Sequence, residues 1–343
     1  MRARSNRSRV LVTGTDLMPA DVDWLRQQDL DVEVCHRHLS ETQLARALMD
    51  KDAYILGGVE RATSAALATA DDLKVIAFMG VGYHAYIDTG AATAAGIAVT
   101  NAPGANARAV AEFTIGLMVD AWRRITDAAM ETKAGRWNKT IGRNLHSRTL
   151  GIVGMGTIGA IVARIAANGF GMRVVYVSRT AKPEVERDIV ARRVELPELL
   201  AESDVISLHI AYGPQTVRMI GETQLASVKP GAILINTAEA ELVDPASLRS
   251  ALLDGRLAAA AMDSYYIVPT PSHRTDPLGL MALGNGRFLV TPHAAGATEE
   301  SFRGILAANV DSIKNVLETG EDHRVVNLEY RDNAHWLPVR QRP

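Results

Sequence analysis

The sequence predicts an α/β protein with two units, each containing a parallel β-sheet covered by helices. Short apolar runs alternate with amphipathic helical segments, which is typical of parallel sheets. The alternation occurs in two series, separated by a long apolar helical pattern. The length agrees with two units, because 343 residues can form two domains of ordinary size.

The first series is predicted to form one compact unit of about 100 residues. Amphipathic segments at Asp21–Gln28 and Glu41–Met49 supply its first helices. The apolar runs between the helices are too short for helices and are bounded by turn residues, so they are predicted as strands. These strands are Val10–Thr13, Val32–Cys35, Tyr54–Leu56, Val75–Phe78 and Ala98–Thr100.

A long helix is predicted to begin at Asn106, because apolar residues then recur at spacings of three and four. Ile115 and Met118 widen its apolar face beyond one stripe, so the helix is expected to be buried on more than one side. It is either a core helix of its own chain or part of a subunit interface. The residues in the pattern are Val110, Phe113, Leu117, Ala121, Trp122 and Ile125.

The second series repeats the alternation after residue 148. The turn GMGTIG separates its first strand from a helix at Ala160–Asn168, and a last helix is predicted at Ser301–Leu317, before Gly320. The predicted strands are Thr149–Val153, Met172–Val177, Val205–Leu208, Ala232–Ile235, Ala259–Met262 and Phe288–Val290.

Composition narrows the class of protein. The net charge is −2, so no general attraction to nucleic acid or anionic membranes is expected. The single cysteine, Cys35, cannot form an internal disulfide, and no Cys/His cluster has zinc spacing. No apolar run reaches the roughly 18 residues of a membrane span, and no signal-peptide pattern precedes the first strand. A cytoplasmic protein is expected, with a polar tail at Arg331–Pro343 that is either flexible or contacts a partner.

The turn GMGTIG has the spacing GxGxxG, which in a strand–turn–helix context predicts dinucleotide binding. Gly154 permits a tight turn, Gly156 lets the backbone approach a pyrophosphate, and Gly159 lets the helix pack on the strand. Thr157 and Ile158 offer N–H groups at the positive end of the helix. The alternative is a glycine turn that serves packing alone.

The end of the next strand indicates which dinucleotide is bound. NAD-binding units carry an acid there that binds the ribose 2′-OH. This chain instead has Ser178-Arg179-Thr180, and Ser178 lies 24 residues after Gly154. A guanidinium and two hydroxyls suit a 2′-phosphate, so NADP(H) is predicted over NAD(H). The alternative is that Arg179 is only a solvated surface charge and the site is unselective.

At this point the sequence resembles the D-isomer-specific 2-hydroxyacid dehydrogenases, which include phosphoglycerate dehydrogenase and glyoxylate reductase. The likeness runs from about Tyr54 to Asn327. Besides GMGTIG, it rests on NAPGANARAVAEFTIGLM, DVISLH, KPGAILINTA, GRLAAAAMD and TPHAAG, which occur in the family's order.

The resemblance implies a flavodoxin-like substrate domain formed by residues 1–103 and 298–343, and a Rossmann coenzyme domain with a dimerisation arm at 104–297. It implies a homodimer, in which the helix from Asn106 belongs to the arm, and a small-molecule substrate. It also implies that the cofactor is contacted by His209, Thr237, Ala238, Asp263 and Gly296, with Asp263 on the nicotinamide carboxamide.

The resemblance assigns the chemistry to an Arg, a His and a Glu. The His moves the proton, the Arg pairs with the substrate carboxylate, and the Glu holds the His protonated. His293 in TPHAAG matches the family's His, with packing as the alternative. A side chain that titrates near neutrality suits proton transfer to a carbonyl oxygen. The backbone of Val81 and Gly82 matches the loop that cradles the substrate carboxylate.

Three departures from the family pattern change the expected reaction. The family's INTARG is here INTAEA, so Glu239 stands at the Arg position. Val268, before Pro269, stands at the Glu position. In the substrate loop, His84-Ala85-Tyr86 replaces a shorter polar stretch.

A charge pair at about 4 Å is worth roughly 4 kcal/mol at an effective dielectric of about 20, so replacing Arg by Glu changes the interaction by roughly 8 kcal/mol. Simple 2-keto acids are therefore expected to be poor substrates. A cationic or neutral carbonyl or imine is expected instead, with His293 and Glu239 as catalytic residues. Candidates for lining the pocket are Tyr83, His84, Tyr265 and Tyr266.

Two other functions stay open from the sequence. The chain could be a non-catalytic nucleotide-binding regulator, or a lyase or cyclase that binds the cofactor without consuming it. Glu239 could also point to solvent and have no role.

Overall fold

The computed structural model describes residues 7–14, 17–139, 141–333 and 336. The chain divides into two compact units, one formed by Met1–Asn106 with Thr298–Pro343 and the other by Ala107–Ala297. Among the described residues, no helix is long and apolar enough to cross a membrane. The same residues contain no group of three or more His, Cys, Asp or Glu side chains arranged to hold a metal ion.

The first unit contains a five-stranded parallel sheet in the order β2-β1-β3-β4-β5, the flavodoxin-like order that was predicted. Burial explains the apolar strands, because β3 and the last four residues of β1 are buried throughout. The strands are β1 Ser8–Thr13, β2 Leu30–Cys35, β3 Ala53–Leu56, β4 Val75–Phe78 and β5 Ala98–Thr100.

Five helices cover this sheet. Two short ones, α3 and α4, were not predicted, because neither is long enough to show an apolar period. Both begin at a side-chain cap, Thr63 for α3 and Asp88 for α4. The helices are α1 Pro19–Arg26, α2 Glu41–Leu48, α3 Ser64–Leu67, α4 Thr89–Ala94 and, from the end of the chain, α12 Glu299–Thr319.

The second unit contains a seven-stranded parallel sheet in the order β12-β11-β10-β9-β6-β7-β8. The order reverses between β6 and β9, which is the Rossmann arrangement. The strands are β6 Thr149–Val153, β7 Arg173–Val177, β8 Arg192–Arg193, β9 Val205–Leu208, β10 Ala232–Asn236, β11 Leu257–Met262 and β12 Phe288–Val290.

Helices pack on both faces of this sheet and complete two buried cores. The helix after the glycine turn begins at Thr157, three residues earlier than predicted, because the turn itself starts it. The helices are α5 Ala107–Arg123, α6 Ile125–Lys133, α7 Thr157–Phe170, α8 Pro183–Ile189, α9 Leu196–Glu202, α10 Glu222–Ala226 and α11 Pro245–Leu253.

The long helix predicted from Asn106 is in fact two helices. Arg124 adopts a left-handed conformation with φ of 56°, and this residue separates α5 from α6. Within its own unit, α5 buries eight side chains, including Leu117, Met118 and Trp122, so it is a core helix. A role in a subunit interface stays a prediction.

The first unit ends at Asn106, three residues later than the predicted boundary after Pro103. Two hydrogen bonds hold the residues just before the predicted boundary. The Ala102 N–H donates to the Gly80 carbonyl at 2.8 Å, and the Asn101 side chain donates to the Val81 carbonyl at 3.1 Å. These bonds tie the segment to the first unit.

Candidate active site

The predicted cofactor residues of the second unit lie in one row at the carboxyl edge of its sheet. The strand register aligns the last residues of six strands, which are Val290, Met262, Asn236, Leu208, Val153 and Val177. The next residue on each strand is therefore Thr291, Asp263, Thr237, His209, Gly154 or Ser178. All of these except Thr291 were predicted from the sequence. Open α/β sheets bind ligands at this edge, where the strand order reverses.

The glycine turn combines a packing role with a ligand role. Gly154 has φ of 104°, and a Cβ there would lie 2.4 Å from the His209 carbonyl oxygen. A Cβ at Gly159 would lie 2.2 Å from the Gly154 carbonyl oxygen. At Gly156, by contrast, a Cβ would meet nothing within 4 Å. Packing therefore does not require a glycine at position 156, and close approach of a phosphate does.

The N-terminus of α7 is suited to hold that phosphate. The first bond of the helix runs from the Ala160 N–H to the Gly156 carbonyl at 2.9 Å. Thr157 and Ile158 lie ahead of that bond, so their N–H groups have no intrahelical acceptor. Together with the open space at Gly156, these groups fit a dinucleotide pyrophosphate.

The segment after β7 carries positive charge and hydroxyl groups without a carboxylate. The Ser178 hydroxyl donates to the Thr180 carbonyl, so this hydroxyl is already engaged within the turn. Arg179 is exposed, and in the described part of the chain no acceptor pairs with its guanidinium.

His209 is a half-buried histidine at the point where the strand order reverses. Desolvation lowers the pKa of its imidazole to about 4, so the ring is uncharged at neutral pH. The Nε2 atom of its ring lies 2.8 Å from the Ser207 hydroxyl. The backbone N–H of His209 donates to the Val153 carbonyl. The ring therefore adds no positive charge beside the glycine turn.

Asp263 holds the segment that carries His293. Its buried carboxylate accepts hydrogen bonds from the Thr291 hydroxyl at 2.5 Å, the Ala294 N–H at 2.9 Å and the Ala295 N–H at 2.6 Å. His293 lies between these donors in a left-handed conformation, with φ of 55°. Such a conformation persists where its surroundings fix it, and Asp263 supplies that constraint. Gly296 lies in the turn that the Ala297 N–H closes onto the Ala294 carbonyl.

Glu239 and His293 each lie two residues beyond the aligned row. They follow β10 and β12, the two strands that flank β11. The axes of β10 and β12 are therefore roughly 10 Å apart. The Asn236 side chain fixes the turn before Glu239, since it accepts from the Ala238 N–H at 3.0 Å and donates to the Glu239 carbonyl at 2.8 Å. Thr237 is held by the Thr114 hydroxyl at 2.8 Å.

The side chains of Glu239 and His293 have no polar partner within their unit. Over the described residues, no donor bonds to the Glu239 carboxylate and no carboxylate pairs with the His293 imidazole. Val268, at the position where the resemblance expects a glutamate, is 86% exposed. Both ionisable groups are thus available to a substrate.

Comparison with known proteins agrees with this geometry. Residues 115–295 match the family model of the D-isomer specific 2-hydroxyacid dehydrogenase NAD-binding domain. A glyoxylate reductase from Aeropyrum pernix is 38% identical over 308 residues, covering 86% of this chain and 88% of the relative. A hydroxypyruvate reductase from Thermotoga maritima is 32% identical over 308 residues, with 89% and 98% covered.

The chain belongs to the D-isomer specific 2-hydroxyacid dehydrogenase family. A crystal structure of the TT0316 protein from Thermus thermophilus has a TM-score of 0.80 and 36% identity, covering 93% of this chain and 99% of that one. The family assignment and the two-sheet fold predicted from the sequence are therefore confirmed. The family model describes an NAD-binding domain, so the cofactor is a nicotinamide dinucleotide and the chain is an oxidoreductase of hydroxyl and carbonyl groups.

The two tyrosines predicted to line the substrate pocket are engaged inside the coenzyme unit. Tyr265 is 6% exposed, and its hydroxyl donates to Asp276 at 2.7 Å. The Tyr266 hydroxyl donates to the Val243 carbonyl at 3.0 Å. The expectation for Tyr265 is not met, because its ring packs against Phe288 in the core. Tyr266 packs beside that core with its hydroxyl occupied.

In the first unit, the loop after β4 has the features expected for binding a carboxylate. Across the described residues, the N–H groups of Val81 and Gly82 donate to no acceptor in the chain. Tyr83 and His84 follow in a short 3-10 turn, and their rings lie 4.0 Å apart between centroids. This loop therefore offers two free amides next to two polar rings, which are tilted by 38° relative to each other.

One residue of the coenzyme unit that sequence reasoning missed contacts the segment after β7. Arg193 donates from Nε to the Ser178 carbonyl at 3.1 Å and from Nη2 to the Arg179 carbonyl at 3.2 Å. Strand β8 has only two residues, so no apolar pattern marks it. The signal that could have found it is the paired arginine, Arg192-Arg193, one helix after the predicted 2′-phosphate site.

Proposed function

We propose that the protein is an NADP(H)-preferring reductase of this family that acts on a carbonyl or imine of a neutral or cationic compound. The observation that carries the proposal is Glu239, an unpaired carboxylate two residues beyond the cofactor row, where the resemblance expects an arginine. An anion at this place repels a 2-keto acid and attracts a cation. The names of the relatives support the reaction type, a reduction.

In the proposed reaction, His293 donates a proton to a carbonyl oxygen as negative charge develops there. With a neutral imine, it protonates the nitrogen before the hydride arrives, and the hydride then gives a neutral amine. The nicotinamide, when bound, supplies the hydride. Asp263 keeps the His293 segment in place through its three hydrogen bonds. Glu239 stabilises positive charge on the substrate, which suits an amine or an iminium.

The test compares the wild type with Glu239→Arg in a spectrophotometric assay of NADPH oxidation. We expect the wild type to reduce glyoxylate and hydroxypyruvate poorly, and to reduce amino-carbonyl or cyclic imine compounds better. Glu239→Arg should raise kcat/KM for the two keto acids by roughly 100-fold, which corresponds to about 2.7 kcal/mol of transition-state stabilisation. Glu241→Arg is the matched control, because Glu241 is exposed in the same turn and the change in net charge is the same.

Three outcomes would count against the proposal. If the wild type reduces glyoxylate as fast as the Glu239→Arg variant, the inverted charge does not set the substrate. Tight NADPH binding without turnover of any compound would favour a non-catalytic regulator. Product formation without a change in NADPH absorbance would favour a lyase or cyclase.

The cofactor preference rests on the segment after β7, which offers an exposed Arg179 and the hydroxyls of Ser178 and Thr180 without a carboxylate. The ratio of kcat/KM for NADPH and NADH in the wild type measures it. A ratio below one would refute the preference for NADP(H).

We also propose that the protein forms a homodimer through α6 and the segment that follows it. Four large apolar side chains there are exposed in the single chain, and exposed apolar surface of this kind marks an interaction site. Light scattering after size-exclusion chromatography would show the mass of a dimer, and a monomer at micromolar concentration would refute the proposal. The side chains are Ile125, Met130, Trp137 and Ile141.

A further inference from the structure

The segment that follows β7 is held in place at both ends. The Lys182 N–H donates to the Tyr176 hydroxyl at 2.8 Å, and Tyr176 in turn donates to Glu186 at 2.6 Å. At the other end, the Ser178 hydroxyl donates a hydrogen bond to the Thr180 carbonyl. These bonds fix the segment from 178 to 182, which lowers the cost of ordering it on binding.

Arg193 fixes the middle of the same segment from the neighbouring strand. Its Nε and Nη2 atoms donate to two successive carbonyls, those of Ser178 and Arg179. The planar guanidinium holds the two adjacent carbonyls in a fixed geometry, which the flexible ammonium of a lysine does not impose. With both carbonyls bound, the guanidinium of Arg193 stays beside the turn.

Arg193 retains binding capacity after these contacts. A guanidinium has five N–H donors, and two are used, so three remain for another acceptor. Arg193 is exposed, and no carboxylate in the described part of the chain neutralises it. The residue is thus a second positive charge at a turn that already carries Arg179.

We propose that Arg193 is a positioning and specificity residue for the 2′-phosphate of NADP(H), an inference that rests on the cofactor preference proposed above. Arg193 holds the backbone at Ser178 and Arg179, and its free N–H groups add a second cation for the phosphate. Neither action involves the pyrophosphate or the nicotinamide, so the effect of Arg193 should be largest for cofactors that carry a 2′-phosphate.

The experiment uses Arg193→Met, which removes the charge and the fork while keeping an unbranched side chain. Titration calorimetry with 2′,5′-ADP and with 5′-AMP separates 2′-phosphate binding from adenosine binding. The dissociation constant of 2′,5′-ADP and the KM for NADPH should rise roughly tenfold, the value of one lost charge-assisted contact. Binding of 5′-AMP, the KM for NADH and kcat should stay within about twofold. Arg193→Lys should fall between wild type and Arg193→Met, because it restores the charge without the fork.

Arg192→Met is the matched control. Arg192 is the adjacent residue on β8, and successive side chains of a strand point to opposite faces. It pairs with Glu198 and Glu202 at 2.5 and 2.8 Å, and among the described residues it forms no hydrogen bond or ion pair with the segment after β7. Its replacement should leave the selectivity for 2′,5′-ADP over 5′-AMP unchanged.

The outcomes separate this inference from the function on which it rests. If Arg193→Met weakens 5′-AMP and 2′,5′-ADP equally, Arg193 has only a structural role and the inference is wrong. It is also wrong if a wild type that prefers 2′,5′-ADP keeps that preference in the variant. If the wild type itself shows no preference for 2′,5′-ADP, the proposed cofactor choice fails first, and the inference fails with it.

Discussion

The two halves of the carboxyl edge of the Rossmann sheet differ in how their side chains are satisfied. On the half formed by β6 and β7, a Cβ at Gly154 or Gly159 would collide with backbone atoms. Internal hydrogen bonds hold the turn after β7. On the half formed by β10, β11 and β12, Asp263 accepts three hydrogen bonds, but Glu239 and His293 have no polar partner among the described residues. The half that binds the nucleotide is constrained by the fold, whereas two ionisable groups of the other half are left to a ligand.

This difference agrees with the place at which the resemblance predicts a departure from the family pattern, Glu239. A change at Gly154 or Gly159 would collide with backbone atoms, so packing forbids it. A change at Glu239 alters no hydrogen bond of its side chain within the described structure. Substitution at Glu239 can therefore alter the substrate without loss of the fold.

The largest effect expected on the constrained half comes from Gly159→Ala. A Cβ there would lie 2.2 Å from a backbone oxygen, so we expect the free energy of unfolding to fall by about 3 kcal/mol. Gly156→Ala is the matched comparison, because the same methyl group would meet nothing within 4 Å. It should change stability by less than about 0.5 kcal/mol and weaken dinucleotide binding by more than roughly tenfold.

Urea unfolding and dinucleotide titration of both variants measure these effects. Equal loss of stability in the two variants would show that Gly156 also serves packing, and would end the distinction between the two glycines. Unchanged dinucleotide affinity in Gly156→Ala would place the pyrophosphate elsewhere.

The sequence was sufficient to predict the constrained half. Buried strands of a parallel sheet read as short apolar runs, and five of the predicted strands, such as Val75–Phe78 and Thr149–Val153, have the bounds found in the structure. The glycine turn could be predicted as well, because GxGxxG is a recognised spacing between a strand and a helix. The contact between Gly159 and the Gly154 carbonyl is local in sequence.

The features of the site that the sequence did not predict depend on contacts between residues that are not neighbours in sequence. Arg193 lies 14 residues from Arg179, on a strand too short to show a pattern. The contact of Asp263 with the nicotinamide stays a prediction. The bonds of Asp263 to Thr291, Ala294 and Ala295 were not predicted, because they depend on the register between β11 and β12. No local pattern encodes that register.

Asp263→Asn tests the buried carboxylate of the half formed by β10, β11 and β12, which accepts three hydrogen bonds. The amide keeps the shape of the carboxylate but places N–H donors against N–H donors of Ala294 or Ala295. We expect stability to fall by about 2 kcal/mol, because a buried donor loses its acceptor. Turnover should fall as well, because the His293 segment loses its constraint.

Asp244→Asn is the control for this change. Asp244 caps α11 by accepting from the Ser247 N–H at 2.8 Å, and asparagine caps helices about as well as aspartate. Urea midpoints and kcat of both variants are the measurements. Normal turnover in Asp263→Asn would show that the His293 conformation does not depend on this carboxylate.

The smallest effect is expected at His209, between the two halves, and it depends on pH. The folded pKa is about 4, below the value of about 6.5 for an unfolded histidine. The unfolded chain therefore binds more protons as the pH falls below about 6.5, and stability falls with it until the pH reaches about 4. Between pH 7.5 and 5.5 this one group should account for about 1 kcal/mol.

Replacing His209 by Gln isolates that contribution, because glutamine is uncharged and can still bond the Ser207 hydroxyl. Urea unfolding of wild type and His209→Gln at pH 7.5, 6.5 and 5.5 gives the difference in stability at each pH. The wild type should lose about 1 kcal/mol more than the variant across this range, since all other titrating groups are common to both. A parallel pH dependence would mean that His209 takes up a proton in the folded state. The edge where the strand order reverses would then carry a positive charge beside the glycine turn, and the dinucleotide would bind more tightly at low pH in the wild type than in the variant.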